Sequence, residues 1–366
     1  MARSHRLAII LTLGLLALAM GAVLMAGCGA STETTTTVVP STTSLTEATT
    51  TTVAQTSSTV AEKTVRVAFL AAATANPYAD AITAGVNKAV SEMNATVEVF
   101  GADFDPNKQI TQVKDAITSK RFDAFVIFAA DNAALAPAVE EAIAAGIQVS
   151  AACFPVGPTL TAEPQIEGIA GGGVVSAEKN GEAMGALVLA AAKTIDKPKV
   201  KVIVILGMKA LPTEEYRVGV AKAMIAAQNP NIEFVGELEG QYLPDPSYTA
   251  TQNLLVAHPD ADIIWTVGDQ MAVGAERAVK EAGLEGKILI LGDGGSELGV
   301  AAVKEGRWFG TTSTLPFSDG YNAATIAINA ARGDVLGKNV DSVALSKWGY
   351  VLTIDNIGDY VAEWAG

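Results

Sequence analysis

With 366 residues, 49% of them apolar, the chain is long enough to bury a large core without disulfide bonds. Its net charge of −14 argues against nucleic-acid binding, because a polyanion is not attracted to phosphate backbones. Only two histidines and two cysteines are present, which leaves little material for a metal site.

The first residues have the order of an export signal. A basic stretch from Arg3 to Arg6 precedes an apolar run from Leu7 to Leu24, and small residues then lead to Cys28. The segment Met25-Ala26-Gly27-Cys28 resembles a bacterial lipobox, which implies removal of residues 1–27 and a lipid on the Cys28 thiol. The alternative is a retained anchor helix, because the apolar run is close to the shortest that spans a membrane. Both interpretations predict an exported domain tethered to the cell membrane.

Residues 28–63 are nearly all Thr, Ser, Val, Ala and Glu, with runs at Thr34–Thr37 and Thr49–Thr52. Such a composition has too little apolar surface to offset the entropy of ordering. We therefore predict a disordered stalk. If Cys28 carries a lipid, Cys153 has no partner for a disulfide.

From Thr64 onward, short apolar runs alternate with helical spacings. The predicted strands are 65–70, 97–100, 124–128, 147–151, 201–206, 232–237, 262–267, 288–291 and 310–313. The predicted helices are 78–93, 108–119, 135–145, 178–193, 214–228, 249–257, 271–281, 298–305 and 318–332. This alternation favours parallel sheets with helices on both faces.

About 300 residues are too many for one open sheet of this type, so an α/β fold with two Rossmann-like lobes is predicted. A TIM barrel is disfavoured because roughly ten strands are visible, and because the pattern breaks at Gly171-Gly172-Gly173. Ligands of open α/β sheets bind beyond the carboxyl ends of the strands. The candidate binding loops are 71–77, 129–132 (which contains Asp131), 152–158, 207–213, 268–270 and 292–296.

Motifs of enzymes are missing from these loops. The first strand-to-helix turn carries no Gly-rich dinucleotide fingerprint, and no phosphate-binding loop occurs. A metal site or a Ser-His-Asp arrangement in the body of the chain would depend on His258 alone. The sequence therefore predicts no catalysis, no cofactor and no metal.

The body resembles the type I periplasmic binding proteins, specifically the branch near ribose- and galactose-binding proteins. The resemblance covers 64–360 and is sharpest at 252–260 and at 265–275, the second being Trp-Thr-Val-Gly-Asp-Gln-Met-Ala-Val-Gly-Ala. Shorter matches are Asn76-Pro77-Tyr78, 145–149 and Leu315-Pro316. Repressors of the lactose type share this fold but begin with a helix-turn-helix, whereas this chain begins with an export signal.

The resemblance implies two lobes joined by a three-stranded hinge, with crossings near Ser176, Thr314 and Tyr350. Lobe 1 would comprise 64–175 plus 315–350, and lobe 2 would comprise 176–314 plus 351–366. A ligand would bind in the cleft between the lobes and close the hinge.

Carrying the family's sugar pocket onto this sequence keeps its aromatic walls and loses much of its hydroxyl-binding set. Asn76, Tyr78 and Tyr242 match family residues. Five positions depart from the family pattern. Cys153-Phe154 stand where the family has an Asp-Arg pair, Tyr216 stands where it has an arginine (with Arg217 next to it), and Gly268, before Asp269, stands where it has an asparagine. Asp293 lies one place before the position of a family aspartate, and Thr314 stands where the family has a glutamine.

These departures make a common pentose or hexose a poor fit, because unpaired buried hydroxyls cost about 1–3 kcal/mol each. A polyol, a modified sugar or an amine is a better match. An aromatic box of Tyr78, Phe154 and Tyr242 would hold a cation, with Asp269 or Asp293 as countercharge. Alternatively, these aromatic side chains form an apolar wall under a sugar ring.

The resemblance implies a monomeric, lipid-anchored, extracytoplasmic protein that captures a small polar solute, such as a sugar or polyol, and delivers it to an ABC permease in the membrane. The alternative is a ligand sensor of the same fold that presents its closed form to a membrane receptor or kinase.

Overall fold

The computed structural model describes residues 63–366. The predicted signal, the lipid-attachment residue Cys28 and nearly all of the predicted stalk lie in residues 1–62, outside the described part. Across residues 63–366, no helix is long and apolar enough to span a membrane.

Twelve strands are found in this part of the chain. They are Val65–Ala71 (β1), Ala95–Gly101 (β2), Ala124–Phe128 (β3), Gln148–Cys153 (β4), Gly171–Val174 (β5), Val200–Leu206 (β6), Ile232–Glu239 (β7), Ile263–Thr266 (β8), Leu289–Leu291 (β9), Gly310–Thr312 (β10), Lys338–Val340 (β11) and Val351–Thr353 (β12).

Ten helices connect or follow these strands in residues 63–366. They are Pro77–Glu92 (α1), Pro106–Ser119 (α2), Ala136–Ala144 (α3), Ala177–Lys193 (α4), Pro212–Gln228 (α5), Pro244–Ala257 (α6), Asp269–Glu281 (α7), Glu297–Lys304 (α8), Pro316–Ala331 (α9) and Ser342–Leu345 (α10).

The strands form two six-stranded sheets, which confirms the predicted fold of two α/β lobes. The first sheet has the order β11-β5-β4-β3-β1-β2, and the second has the order β12-β10-β9-β8-β6-β7. Pairing is parallel throughout both sheets except between β10 and β12. The central strands β1, β3 and β6 are almost continuously apolar because helices cover both of their faces.

The chain passes between the two sheets three times. The first passage runs from β5 to α4 at Ser176, and the second runs from β10 to α9 through Thr314. The third lies between β11 and β12 and includes α10 and Tyr350. The sequence-based hinge positions fall on these three passages.

Gly171 to Gly173 form a buried strand rather than the break that the sequence suggested. A Cβ atom at Gly172 would lie 2.3 Å from the Ala151 carbonyl oxygen, and one at Gly173 would lie 2.2 Å from the Asp319 carbonyl oxygen. Glycine is therefore required because the neighbouring strand and helix α9 approach this backbone too closely for a side chain.

A buried carboxyl group lies beside this strand. Asp319, in the first turn of α9, is fully buried, and neither carboxyl oxygen accepts a hydrogen bond of normal geometry. Burial, followed by the charges of Glu363 and Asp341, raises the pKa of Asp319 well above its ordinary value of 3.8, while the nearby Ser342 hydroxyl opposes this only in part. Folding therefore favours the protonated acid.

Asp319 should make the folded protein lose stability as the pH rises. Above about pH 4 the unfolded chain releases this proton while the folded chain retains it, so the free energy of unfolding falls until the pH passes the raised pKa. Asp319→Asn should lack this pH-dependent loss of stability. The loss in the wild-type protein is about 1.4 kcal/mol for each unit by which folding raises the pKa of Asp319. Urea unfolding at several pH values measures it. Asp80→Asn, on the exposed face of α1, is the control and should keep the wild-type pH profile.

Candidate functional site

A cavity of about 90 Å³ lies between the carboxyl ends of the two sheets. This volume is several times the roughly 10–15 Å³ that a single water requires, so the cavity has room for a small molecule. The main lining residues come from the last residues of strands, from the loops and helix starts that follow, and from the C-terminal segment. They are Asn76, Tyr78, Phe104, Phe128, Cys153, Phe154, Thr213, Glu214, Arg217, Tyr242, Gly268, Gln270, Asp293, Thr314 and Trp364.

The two lobes touch across the cavity. The Thr213 hydroxyl on α5 donates a hydrogen bond of 2.7 Å to the Asn132 side-chain oxygen, which follows β3. Phe104, after β2, stacks on Tyr242, after β7, with ring centroids 6.1 Å apart. These contacts join one lobe to the other, so the cleft is closed in this structure.

Aromatic rings form much of the cavity wall. Tyr78 at the start of α1 meets Trp364 edge to face, with ring centroids 5.3 Å apart. The Trp364 indole N–H donates to the Gly294 carbonyl oxygen at 2.9 Å, which fixes the ring. Gly207 leaves room for Tyr242, because a Cβ atom at Gly207 would lie 2.2 Å from the tyrosine ring.

Cys153 takes an uncommon backbone conformation at the cavity, with φ of +69°. Its thiol is buried and free, and the sulfur lies 3.4 Å from the Tyr78 hydroxyl oxygen. Burial is the main reason that the pKa values of both groups are raised, so each stays protonated at neutral pH. This pair therefore presents a neutral, weakly polar surface.

A buried ionic network forms the opposite wall. The Arg217 Nη1 atom donates to Asp293 Oδ2 at 2.7 Å and to Asn180 Oδ1 at 3.1 Å. The Nη2 atom donates to Glu214 Oε2 at 3.0 Å and to the Tyr242 hydroxyl oxygen at 3.1 Å. Helix α5 places Glu214 and Arg217 on one face because they are three residues apart.

Both carboxylates of the network receive further hydrogen bonds. The Gly207 N–H donates to Glu214 Oε1 at 2.7 Å, and the Tyr242 hydroxyl donates to Glu214 Oε2. The Asn180 amide donates to Asp293 Oδ1 at 3.0 Å, and the Thr312 hydroxyl donates to the same atom. Burial and the charge of Glu214 raise the pKa of Tyr242, so its phenol stays protonated. Each charged group of the network is therefore paired and hydrogen-bonded within the protein.

Gln270 lines the cavity with a side-chain oxygen that has no hydrogen-bond partner. It is 4% exposed, and its Oε1 atom is buried without a hydrogen-bond partner. A buried amide oxygen left unpaired costs about 1–3 kcal/mol. A ligand that donates an N–H or O–H group to this oxygen would remove that cost.

Nine of the twelve ligand residues predicted from the sequence line the cavity. They are Asn76, Tyr78, Cys153, Phe154, Arg217, Tyr242, Gly268, Asp293 and Thr314. Their role in binding a ligand stays a prediction.

Three predicted ligand residues do not line the cavity. The Asp131 carboxylate accepts hydrogen bonds from the Ala133 and Ala134 backbone and shapes a turn. Tyr216 is 36% exposed, because one step along α5 turns its side chain about 100° from Arg217. The Asp269 carboxylate is fully buried and accepts hydrogen bonds from Ser296, before α8, and from Thr311 in β10 instead of reaching the cavity.

Asp269 nevertheless positions the site. Its Oδ2 accepts the Ser296 N–H at 2.7 Å and its Oδ1 accepts the Thr311 hydroxyl at 2.6 Å. Its own N–H donates to the Asp293 carbonyl oxygen at 2.9 Å, which holds the loop that carries the Asp293 side chain. Burial raises the pKa of Asp269 to about 6, although Thr311 and Ser296 oppose the shift.

Sequence reasoning missed Phe104, Phe128, Glu214 and Trp364 as residues of the cavity, and it included Gln270 only as part of the candidate loop 268–270. Spacing carried a signal for Glu214, which lies one helical turn before Arg217. Gln270 lies inside the family match at 265–275, but its neighbour Asp269 was predicted as the ligand residue. Nothing in the local sequence singled out Phe104, or Trp364 near the C-terminus.

Comparison with known proteins identifies the class that this fold and cavity define. Residues 67–334 match the periplasmic binding protein domain, and the chain belongs to that family, in its type I, ribose- and galactose-binding-like branch. It is thus a member of a family of binding proteins rather than of enzymes, and the family implies a location outside the cytoplasm.

Two curated relatives are import binding proteins. The ribose import binding protein RbsB of Bacillus subtilis is 26% identical over 271 residues, which cover 73% of this chain and 82% of RbsB. The D-apiose import binding protein of Actinobacillus succinogenes is 24% identical over 261 residues, 71% of this chain and 79% of that protein.

Solved structures share the fold. An ABC transporter solute-binding protein of Mycobacterium smegmatis with bound glycerol is 26% identical, with a TM-score of 0.68 over 83% of this chain and 100% of that chain. A solute-binding protein of Bacillus halodurans with bound myo-inositol is 17% identical, with a TM-score of 0.67 over 82% of this chain and 98% of that chain. The second likeness concerns the fold alone.

Proposed function

We propose that this protein captures a small polar solute, a sugar, a polyol or a related compound, in the cavity between its lobes and delivers it to an ABC importer. The observation that carries the proposal is the closed, aromatic-lined cavity at the carboxyl ends of both sheets. The curated relatives, which are import binding proteins, support the transport role.

Closure of the hinge is the signal that a permease would recognise. The contacts Thr213–Asn132 and Phe104–Tyr242 bridge the lobes at the cavity, so a ligand that fills the cavity stabilises the same closed state. A ligand that binds the closed state better than the open state shifts the population toward closure. Delivery then requires only that the permease bind the closed form.

The proposal includes anchoring by a lipid on Cys28. The support is the order of basic, apolar and small residues that ends at this cysteine. Globomycin treatment of expressing cells tests it, because the antibiotic blocks cleavage of bacterial lipoprotein signals. Accumulation of the uncleaved precursor is the expected result, and Cys28→Ser should abolish lipid labelling. Unchanged processing in the presence of globomycin would contradict the anchor.

A thermal-shift screen of the full chain tests solute binding. Pentoses, hexoses, polyols, amino acids and amines form the panel, and a cognate solute at about 100 times its Kd should add about 2.7 kcal/mol of stability. Phe154→Ala, which removes an aromatic wall of the cavity, should weaken binding at least about tenfold. Tyr248→Ala, whose ring stacks on Arg277 on lobe 2, is the aromatic control and should bind normally. Failure of every solute to shift the melting temperature would contradict the proposal.

A further inference from the structure

The charged groups at the cavity do not balance. Glu214 and Asp293 contribute two carboxylates, while Arg217 contributes one guanidinium, and in residues 63–366 no other basic side chain lines the cavity. All three side chains are almost completely buried, with 2%, 5% and 7% exposure for Glu214, Asp293 and Arg217. Formally, the lining carries one excess negative charge. Excess charge in such a place is costly unless a positive group lies close to it.

Arg217 has little capacity left for an anionic ligand. Its Nη1 and Nη2 atoms together donate to two carboxylates, to Asn180 and Tyr242, and to the Val267 carbonyl oxygen. Recognition of a carboxylate or phosphate requires free donors in a fork, which this guanidinium no longer offers. The cavity therefore disfavours anions.

The free polar atoms of the cavity favour a ligand that donates hydrogen bonds. The Gln270 Oε1 atom is buried without a hydrogen-bond partner. Asp293 Oδ2 and Glu214 Oε1 each accept one hydrogen bond from the protein, and a carboxylate oxygen accepts two. These three acceptor atoms on cavity-lining residues have remaining capacity, and two of them belong to carboxylates.

The rest of the wall suits a cation as well. Six aromatic rings line the cavity, belonging to Tyr78, Phe104, Phe128, Phe154, Tyr242 and Trp364. A cation over an aromatic face gains about 0.5–2 kcal/mol, most when it is desolvated, as in a closed cavity. The rings also pack against the apolar CH faces of a small ring or chain.

We propose that the ligand is a small solute that bears a protonated amino group, such as an amino sugar or an amino alcohol. Its ammonium N–H groups donate to Gln270 and lie close to the carboxylates of Asp293 and Glu214, which balances the charge of the cavity. Its carbon skeleton lies against the aromatic rings. This inference rests on the proposed solute-binding function and adds the chemical class of the solute.

Matched pairs of solutes test the class. D-glucose is compared with D-glucosamine, and glycerol with 2-amino-1,3-propanediol, by calorimetric titration of the full chain at about pH 6, where both amines are protonated. Each pair differs by one hydroxyl replaced with an ammonium group. We expect the amine of at least one pair to bind at least about tenfold more tightly than its neutral partner.

Three variants locate the preference. Asp293→Asn and Glu214→Gln keep side-chain size but remove one negative charge each, and each should reduce the ratio of amine to neutral affinity by at least about tenfold. Gln270→Met, which removes the free acceptor, should weaken binding of the amine. Glu285→Gln, an exposed acid on lobe 2, is the control and should leave the ratio unchanged.

The outcomes separate the class of ligand from the function. Equal or tighter binding of both neutral members would overturn the inference and leave the solute-binding function intact. Absence of binding by both amines would also overturn it, and binding of other solutes in the thermal-shift screen then decides the function independently. A preference for amines that survives both charge-removing variants would likewise contradict the inference.

Discussion

Replacement of Arg217 by methionine is expected to lower the free energy of unfolding by about 3–5 kcal/mol, because it leaves two buried carboxylates without their cation. The midpoint of urea unfolding measures the loss. Arg307→Met removes a guanidinium that also pairs with two carboxylates, those of Glu276 and Glu305, but its side chain is 42% exposed. That control should lose less than about 1 kcal/mol.

A second variant separates the two origins of the loss. Adding Glu214→Gln and Asp293→Asn to Arg217→Met removes the uncompensated charge and leaves only changed packing and hydrogen bonds. The triple variant should regain much of the stability, because replacement of a whole buried ionic network is often close to neutral. A loss below about 1 kcal/mol for Arg217→Met alone would show that the carboxylates do not depend on this guanidinium.

Gly85→Ala and Gly219→Ala are expected to change stability in opposite directions, although each adds one methyl group to a helix. A Cβ atom at Gly85 on α1 would lie 2.0 Å from the Phe317 carbonyl oxygen of α9, whereas one at Gly219 on α5 meets no atom within 4 Å. Overpacking costs about 1–3 kcal/mol or more, and relief of a helical glycine at an open site gains up to about 1 kcal/mol.

Unfolding midpoints of the two variants measure this contrast. The Gly85 site is formed by close approach of two helices, since a Cβ atom at Gly320 of α9 would in turn lie 2.2 Å from the Ile82 carbonyl oxygen of α1. Both clashes involve backbone atoms, which cannot move aside as a side chain does. A stabilising Gly85→Ala substitution would mean that α1 and α9 separate at little cost.

The buried network and the hinge carboxyl group have different consequences for function. Arg217, Glu214 and Asp293 hold one another in place at the cavity through several hydrogen bonds. Asp319 has no comparable support and lies in the first turn of α9, immediately after the second passage between the lobes. The charged network at the cavity and the titratable carboxyl group of Asp319 beside the hinge are therefore separate features of the protein.

Local patterns were sufficient to predict most of the secondary structure and the family. Central strands such as β3 and β6 are apolar throughout, and helices such as α4 carry buried residues at helical spacing, so each is recognisable from neighbouring residues alone. The motif around Trp265 and Gly268 led to the family for the same reason. Strands β5 and β11 were missed because glycine, lysine and asparagine are uncommon in strands. Strand β12 was missed because a run of three residues is too short to be recognised.

The composition of the site depended on contacts between residues that are far apart in the chain. Arg217 faces the cavity and Tyr216 faces solvent because neighbouring positions on a helix point about 100° apart, and the packing of α5 decides which one turns inward. The Asp269 side chain accepts hydrogen bonds from Ser296 and Thr311, so the Gln270 side chain, and not that of Asp269, lines the cavity. Trp364 joins the cavity only because the C-terminal segment pairs with the start of α8. The local sequence thus predicts which polar and aromatic residues lie near the strand ends. The direction of each side chain and the balance of charge depend on how helices and loops that are far apart in the chain pack together.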